Sequence, residues 1–121
     1  MAARVAQVRR HDGTSVCERC LLADNPLSRM KGLLGRSGLA TDEGILLKPA
    51  SAIHMMFMRF AIDAVFLDRD LRVLKVVANL RPWGFASRRG AHSVMELSAG
   101  ACARSGVLEG EQLLLEVTEG S

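Results

Sequence analysis

The chain has 121 residues, 49% hydrophobic and 24% charged, with a formal net charge of +3. That length fits one domain, residues 1–121, with enough buried surface to hold a core without metal or disulfide support. The small charge speaks against a dedicated nucleic-acid binder, and the apolar stretches are far too short to span a membrane.

The first residues, MAARVAQVRRHDG, are charged and lack the long apolar core of a secretory signal. A cytoplasmic location is therefore expected, with no membrane partner. Arg4 to Arg10 and Thr14 to Ala23 read as two strands around the Asp12-Gly13 turn signal, an N-terminal hairpin. Cys17 and Cys20 have CxxC spacing, a weak metal or redox signal alone. Residues three apart on a strand point to opposite faces, so the two thiols are expected not to meet. A helix then starts at Asn25 and Pro26, with Leu27, Met30, Leu33 and Leu34 on one face, and ends at Gly35 or Gly38. Gly44 to Lys48 is a short buried strand stopped by Pro49.

The centre of the chain runs from Ser51 to Leu80. Ile53 to Met58 is a strand candidate, with His54, Met56 and Met58 sharing one face if extended. Phe60 to Leu67 and Leu71 to Ala78 are two apolar runs around Asp68-Arg69-Asp70, a hairpin expected to be central and buried on both faces. Arg81 to Ser93 is a long loop carrying Trp83, Phe85 and the arginines 81, 88 and 89. Its aromatics either fold back over the core or interleave with the arginines to stack a phosphorylated or nucleic-acid ligand. Val94 to Leu97 is a strand, Ser98 caps a brief helix through Ser105 that Gly106 closes, and Gln112 to Val117 is the last strand. Together these elements predict an α+β fold: a small, mostly antiparallel, partly closed β-barrel-like sheet with two short helices.

One residue resists a purely apolar account. Asp63 lies inside FAIDAVFL, and a buried carboxylate needs a partner because desolvation costs several kcal/mol, on the order given for buried ions. Arg59 is the nearest cation. Asp63 is read either as a structural ion pair or turn cap, or as a ligand-contacting carboxylate in a pocket. Glu96 is a second isolated acid in an apolar strand.

Four segments occur in a characteristic order: RMKGLLGR (Arg29 to Arg36), EGILL (Glu43 to Leu47), HMMFMRFAIDAVFLDRDLRVLKV (His54 to Val76), and VMELSAG with VLEGEQL (Val94 to Leu113). Together they resemble an uncharacterised prokaryotic family, domain of unknown function 192. A Met, a basic residue and a hydrophobic-Asp-hydrophobic step fall here on Met58, Arg59 and Ile62-Asp63-Ala64. Ala61-Ile62-Asp63 stands where the family often has Pro-Leu-Asp. The resemblance implies a compact β-rich α+β domain. Many members carry export signals, and the family brings no established activity.

The favoured reading is a non-enzymatic binding domain. Arg29, Arg36, His54, Met58, Arg59, Asp63 and Glu96 would line a polar mouth for a small anionic or sugar-like ligand, with no metal and no cofactor. The alternative is a hydrolytic or acid/base enzyme using His54, Asp63 and Glu96. Less favoured are a Cu(I) site at His54, Met56 and Met58, and nucleic-acid contact through Arg81, Trp83, Arg88 and Arg89.

Overall fold

Runs of large and β-branched apolar residues, broken by Asp- and Gly-containing turns, make this a strand-rich chain. A computed structural model of the protein describes residues 4–25, 33 and 35–120. Strands β1 (Val5–Arg9), β2 (Ser15–Ala23), β3 (Glu43–Leu47), β4 (Ala52–His54), β5 (Ile62–Leu67), β6 (Val73–Leu80), β7 (Phe85–Ser87) and β8 (Ser93–Ser98) are followed by a helix, α1 (Ala101–Ser105), and strand β9 (Leu114–Glu119). The helix expected from Asn25 to Gly35 or Gly38 falls mostly outside the described residues. Among those described, α1 is the one helix, and no helix is long and apolar enough to cross a membrane.

Seven strands form one sheet in the order β6-β5-β8-β3-β2-β1-β9, and β4 pairs with β7 in a separate two-stranded ribbon. The β2–β3 pair is parallel and the other pairs are antiparallel. The expected partly closed barrel is not what forms. The sheet is open, with β6 and β9 as its edges. The edges meet at one end only, where Arg72 bridges Gln112 and the Val73 N–H donates to the Glu111 carbonyl (2.8 Å). Beyond that point β9 pairs with β1 along its whole length, and its side chains are mostly exposed.

Side chains alternate across each strand, so the sheet buries two clusters. The first holds Val65 and Leu67 of β5, Met95 and Leu97 of β8, Leu46 of β3 and all three cysteines, with α1 packed over it. The second, on the opposite face, holds Ile62, Ala64 and Phe66 of β5, Val94 of β8, and Ile45 and Leu47 of β3. The ribbon joins the second cluster through Ile53 and Ala86. Every residue of β5 is buried, as its continuous apolar run predicts. Its hairpin partner β6 is an edge strand instead, half-buried over most of its length.

Ile53 to Met58 is not one strand. β4 stops at His54, and the Met58 N–H closes a turn onto the Met55 carbonyl (3.2 Å). The loop after β6 contains a strand that sequence patterning missed, β7, because three residues between turns give no readable period.

Gly44 marks where the core is tightest. A Cβ there would lie 2.8 Å from the Glu96 carbonyl oxygen, 2.8 Å from Leu97 and 2.9 Å from the Cys17 sulfur. A methyl group cannot enter without parting β3 from β8. Gly44→Ala is expected to destabilise the fold by roughly 2–3 kcal/mol, read as a lower urea midpoint with an unchanged slope.

Candidate functional site

Asp63 owes its position to a slip in register. Ile62 pairs with Leu80 and Ala64 with Val77, so two residues of β6 face Asp63. One of them, Asn79, takes a left-handed backbone (φ 54) and its N–H donates to Asp63 Oδ1 at 2.9 Å. Oδ2 accepts from the N–H groups of Gly100 (3.2 Å) and Cys102 (2.9 Å). Gly100 is the N-cap of α1 and, with φ 93, has no side chain to cap it. A carboxylate from β5 therefore does the capping expected of Ser98. Ser98 is the last residue of β8, and its Oγ accepts from Arg104 (2.9 Å). Asp63 is fully buried, and among the described residues no arginine bonds it.

Glu96 faces the other way. It pairs with Ala64 and Ile45, both in the second cluster, whereas Asp63, Val65 and Leu97 face the first. No hydrogen bond reaches the Glu96 carboxyl among the described residues, and burial pushes its pKa up to about 7. The other expected site residues are scattered. Arg36 pairs with Glu43 at the start of β3 (3.5 Å). His54 is exposed on the ribbon, where it packs edge-on to Phe85, Met58 is buried in the second cluster, and Arg59 is exposed. Arg29 lies outside the described residues. The expected shared opening does not form around these side chains. The Cu(I) grouping fails too, since Met58 is buried while His54 and Met56 are exposed.

The cysteines also depart from expectation. Ala6 pairs with Cys20 and Val8 with Cys17, so β2 advances three residues for two of β1. The extra residue is absorbed where the Glu18 and Arg19 N–H groups both donate to the Asp42 carbonyl (3.1 and 2.9 Å). Both thiols thus face the first cluster. Contact with the Cys17 thiol, then burial, drives the Cys20 pKa well above its usual value. Cys102 is pushed up to about 12, by burial first and by Asp63 second. High pKa values keep the Cys20 and Cys102 thiols protonated and poorly nucleophilic.

A polar cleft does exist, at the end of the sheet where β3 finishes and β8 begins. It holds about 210 Å³ and is lined by Leu22, Leu46, Leu71 and Leu115 with Arg4, Lys48, Arg69 and His92. Two acids also line it, and both are engaged. Asp24 pairs with Arg4 (3.3 Å), and Asp68 Oδ1 accepts the N–H groups of Asp70 and Arg72 (2.8 and 2.9 Å). Lys48, Arg69 and His92 have no side-chain hydrogen bond or ion pair among the described residues. The Nε of Arg4 is buried without a hydrogen-bond partner. Burial, then the charges of Arg69 and Lys48, lower the His92 pKa. These cations come from four separate segments, and only the strand order gathers them. The one sequence signal was their place just outside strand ends.

Among the described residues, an open, mostly antiparallel sheet with a helix over one face and a strand ribbon on the other defines the class. The chain belongs to domain of unknown function 192, DUF192, described as an uncharacterized ACR, whose model matches residues 7–115. Two solved structures share the fold. A candidate transcription regulator from Sinorhizobium meliloti 1021 is 25% identical with a TM-score of 0.80, over 93% of each chain. A protein of unknown function from Novosphingobium aromaticivorans DSM 12444 is 25% identical with a TM-score of 0.78, over 93% of this chain and 84% of that one. Comparison with curated proteins finds no match.

Two outcomes test these assignments. Asp63→Ala strands three backbone N–H groups and is expected to cost on the order of 4 kcal/mol, with Asp63→Asn losing less because the amide keeps one acceptor oxygen. Equilibrium urea unfolding measures both, and a loss under about 1 kcal/mol for the alanine variant contradicts the capping role. Glu96 has the opposite linkage to an ion-paired acid. Its folded pKa lies above the unfolded value, so its contribution is complete below about pH 4.5 and is lost as pH rises through about 7. Over that window the wild type should lose on the order of 3 kcal/mol, while Glu96→Gln should stay flat in melting temperature against pH.

Proposed function

We propose that this chain is a small binding domain for an anionic ligand, held in the cleft between the ends of β3 and β8. One observation carries the reading: Lys48, Arg69 and His92 converge there with no side-chain hydrogen bond or ion pair among the described residues, above a floor of leucines. Gathering like charges costs energy that an anion offsets, and the apolar floor suits a short hydrocarbon attached to it. A cleft of about 210 Å³ lies below the usual range for drug-sized ligands, which suits a short carboxylate or a small phosphate ester. The enzymatic alternative loses support, because His54, Asp63 and Glu96 stand on the ribbon and on opposite sheet faces. A cytoplasmic setting fits three unpaired cysteines.

The test is a thermal-shift titration with inorganic phosphate, acetate and butyrate. A saturable rise in melting temperature is expected, stronger for butyrate than acetate if the leucine floor contributes. A bound anion favours protonated His92, so affinity should be greater near pH 6 than near pH 8. Lys48→Met and Arg69→Met should each weaken binding about tenfold, as for loss of one charge-assisted contact. No shift with any of the three anions would refute the reading.

A further inference from the structure

We infer that the β4–β7 ribbon, with the turns at its end, is a second binding face, for single-stranded nucleic acid. Two turns are clasped together there: the Met55 N–H donates to the Gly84 carbonyl (2.8 Å), and the Trp83 N–H to the Met55 carbonyl (2.7 Å). Each turn closes by an N–H three residues on, Met58 to Met55 and Gly84 to Arg81, with an aromatic at its third position. Those aromatics are Phe57 (φ 64) and Trp83 (φ 69), in a backbone region where glycine is normal. Large side chains there cost on the order of 1–3 kcal/mol each. The rings they present are not sheltered in return: Phe57 is 70% and Trp83 64% exposed. The fold thus holds two strained aromatics out in solvent.

They are part of a track. Phe57 packs edge-on to Trp83 with centroids 5.1 Å apart, and His54 to Phe85 at 5.8 Å. His54 and Phe85 are directly paired across the ribbon, whose inner residues Ile53 and Ala86 are buried. From Phe85 to Arg88 is about 10 Å of extended chain. Arg59 and Arg81 stand at the turn end, Arg88 and Arg89 at the other. Arg59, Arg81 and Arg89 have no side-chain hydrogen bond or ion pair among the described residues. Exposed flat rings flanked by cations suit the alternation of bases and phosphates. A lipid surface would favour a continuous apolar tip, whereas this track is interrupted by His54 and Ser87.

The low net charge does not oppose this. From Pro49 to Leu67 the one acid is Asp63, and from Leu71 to Leu108 it is Glu96. Both are buried, so these segments expose bases and no acids, while Glu109, Glu111, Glu116 and Glu119 balance the total from elsewhere. The net charge of +3 averages over two unlike parts of one surface.

Trp83 is the only tryptophan, so its emission reports on this face alone. Titration with a short oligothymidylate should quench it saturably. Raising salt from about 50 to about 200 mM should weaken affinity tenfold or more for about three phosphate contacts. Phe85→Ser and Arg81→Glu alter exposed side chains, should leave the melting temperature unchanged, and should each weaken binding about tenfold. Lys48→Met, in the cleft, should leave oligonucleotide affinity as it was, which separates this face from the anion site. The inference is overturned if the oligonucleotide gives no quenching, or if Phe85→Ser and Arg81→Glu bind as well as wild type. Loss of oligonucleotide binding in Lys48→Met also overturns it. A blue shift with vesicles of anionic phospholipid, without quenching by the oligonucleotide, assigns the face to a lipid surface instead.

Discussion

Three backbone N–H groups from two elements converge on the carboxylate of Asp63, and the rest of the fold is arranged around that convergence. A helix of five residues is too short to be stable alone. Here its first turn is fixed by a charged acceptor on β5, so α1 can lie over the first cluster. The same carboxylate holds the register slip of β6, which sets the end of the hairpin. Without it β6 would keep its ladder to β5 but lose the bond at its slip, and the first turn of α1 would lose its acceptor. The requirement also explains why an acid sits in an otherwise apolar strand: an amide offers one acceptor oxygen where a carboxylate offers two.

Much of the fold could be read from the sequence. The first hairpin, β3, β5, β8 and β9 all follow from apolar runs between turn residues. Asp63, an acid in an apolar run, demands a partner, and its hydrogen bonds match a capping role. Its partners were another matter. A side chain announces its charge, but backbone N–H groups are present at nearly every residue and announce nothing. Opposite facing of Asp63 and Glu96 likewise depends on which residues of β5 and β8 stand side by side, and register is set by the assembled sheet. The cysteine prediction failed for a related reason. Period-2 alternation holds only while the ladder is regular, and a bulge shifts every later residue of β2 to the other face.

The two proposed faces have different physical origins. The cleft arises from strand order, which brings the ends of β3, β5 and β8 together with their flanking cations. The ribbon face arises from local backbone geometry, two turns that hold aromatic residues where glycine would rest more easily. One collects charge and the other exposes apolar rings. Neither uses the acids that dominate a first reading of the sequence, since Asp63 is buried on three backbone N–H groups and Glu96 is buried against the second cluster.

The pairing of β1 with β9 has a consequence for how the molecule comes into being. Val5 lies beside Glu119 and Arg9 beside Leu114, so β1 gains its second neighbour only from a strand far along the chain. Until then β1 has β2 on one side and an open row of amides on the other. Such long-range closure slows folding and leaves a sticky border on the nascent chain. Completion of the sheet thus waits for β9 to emerge.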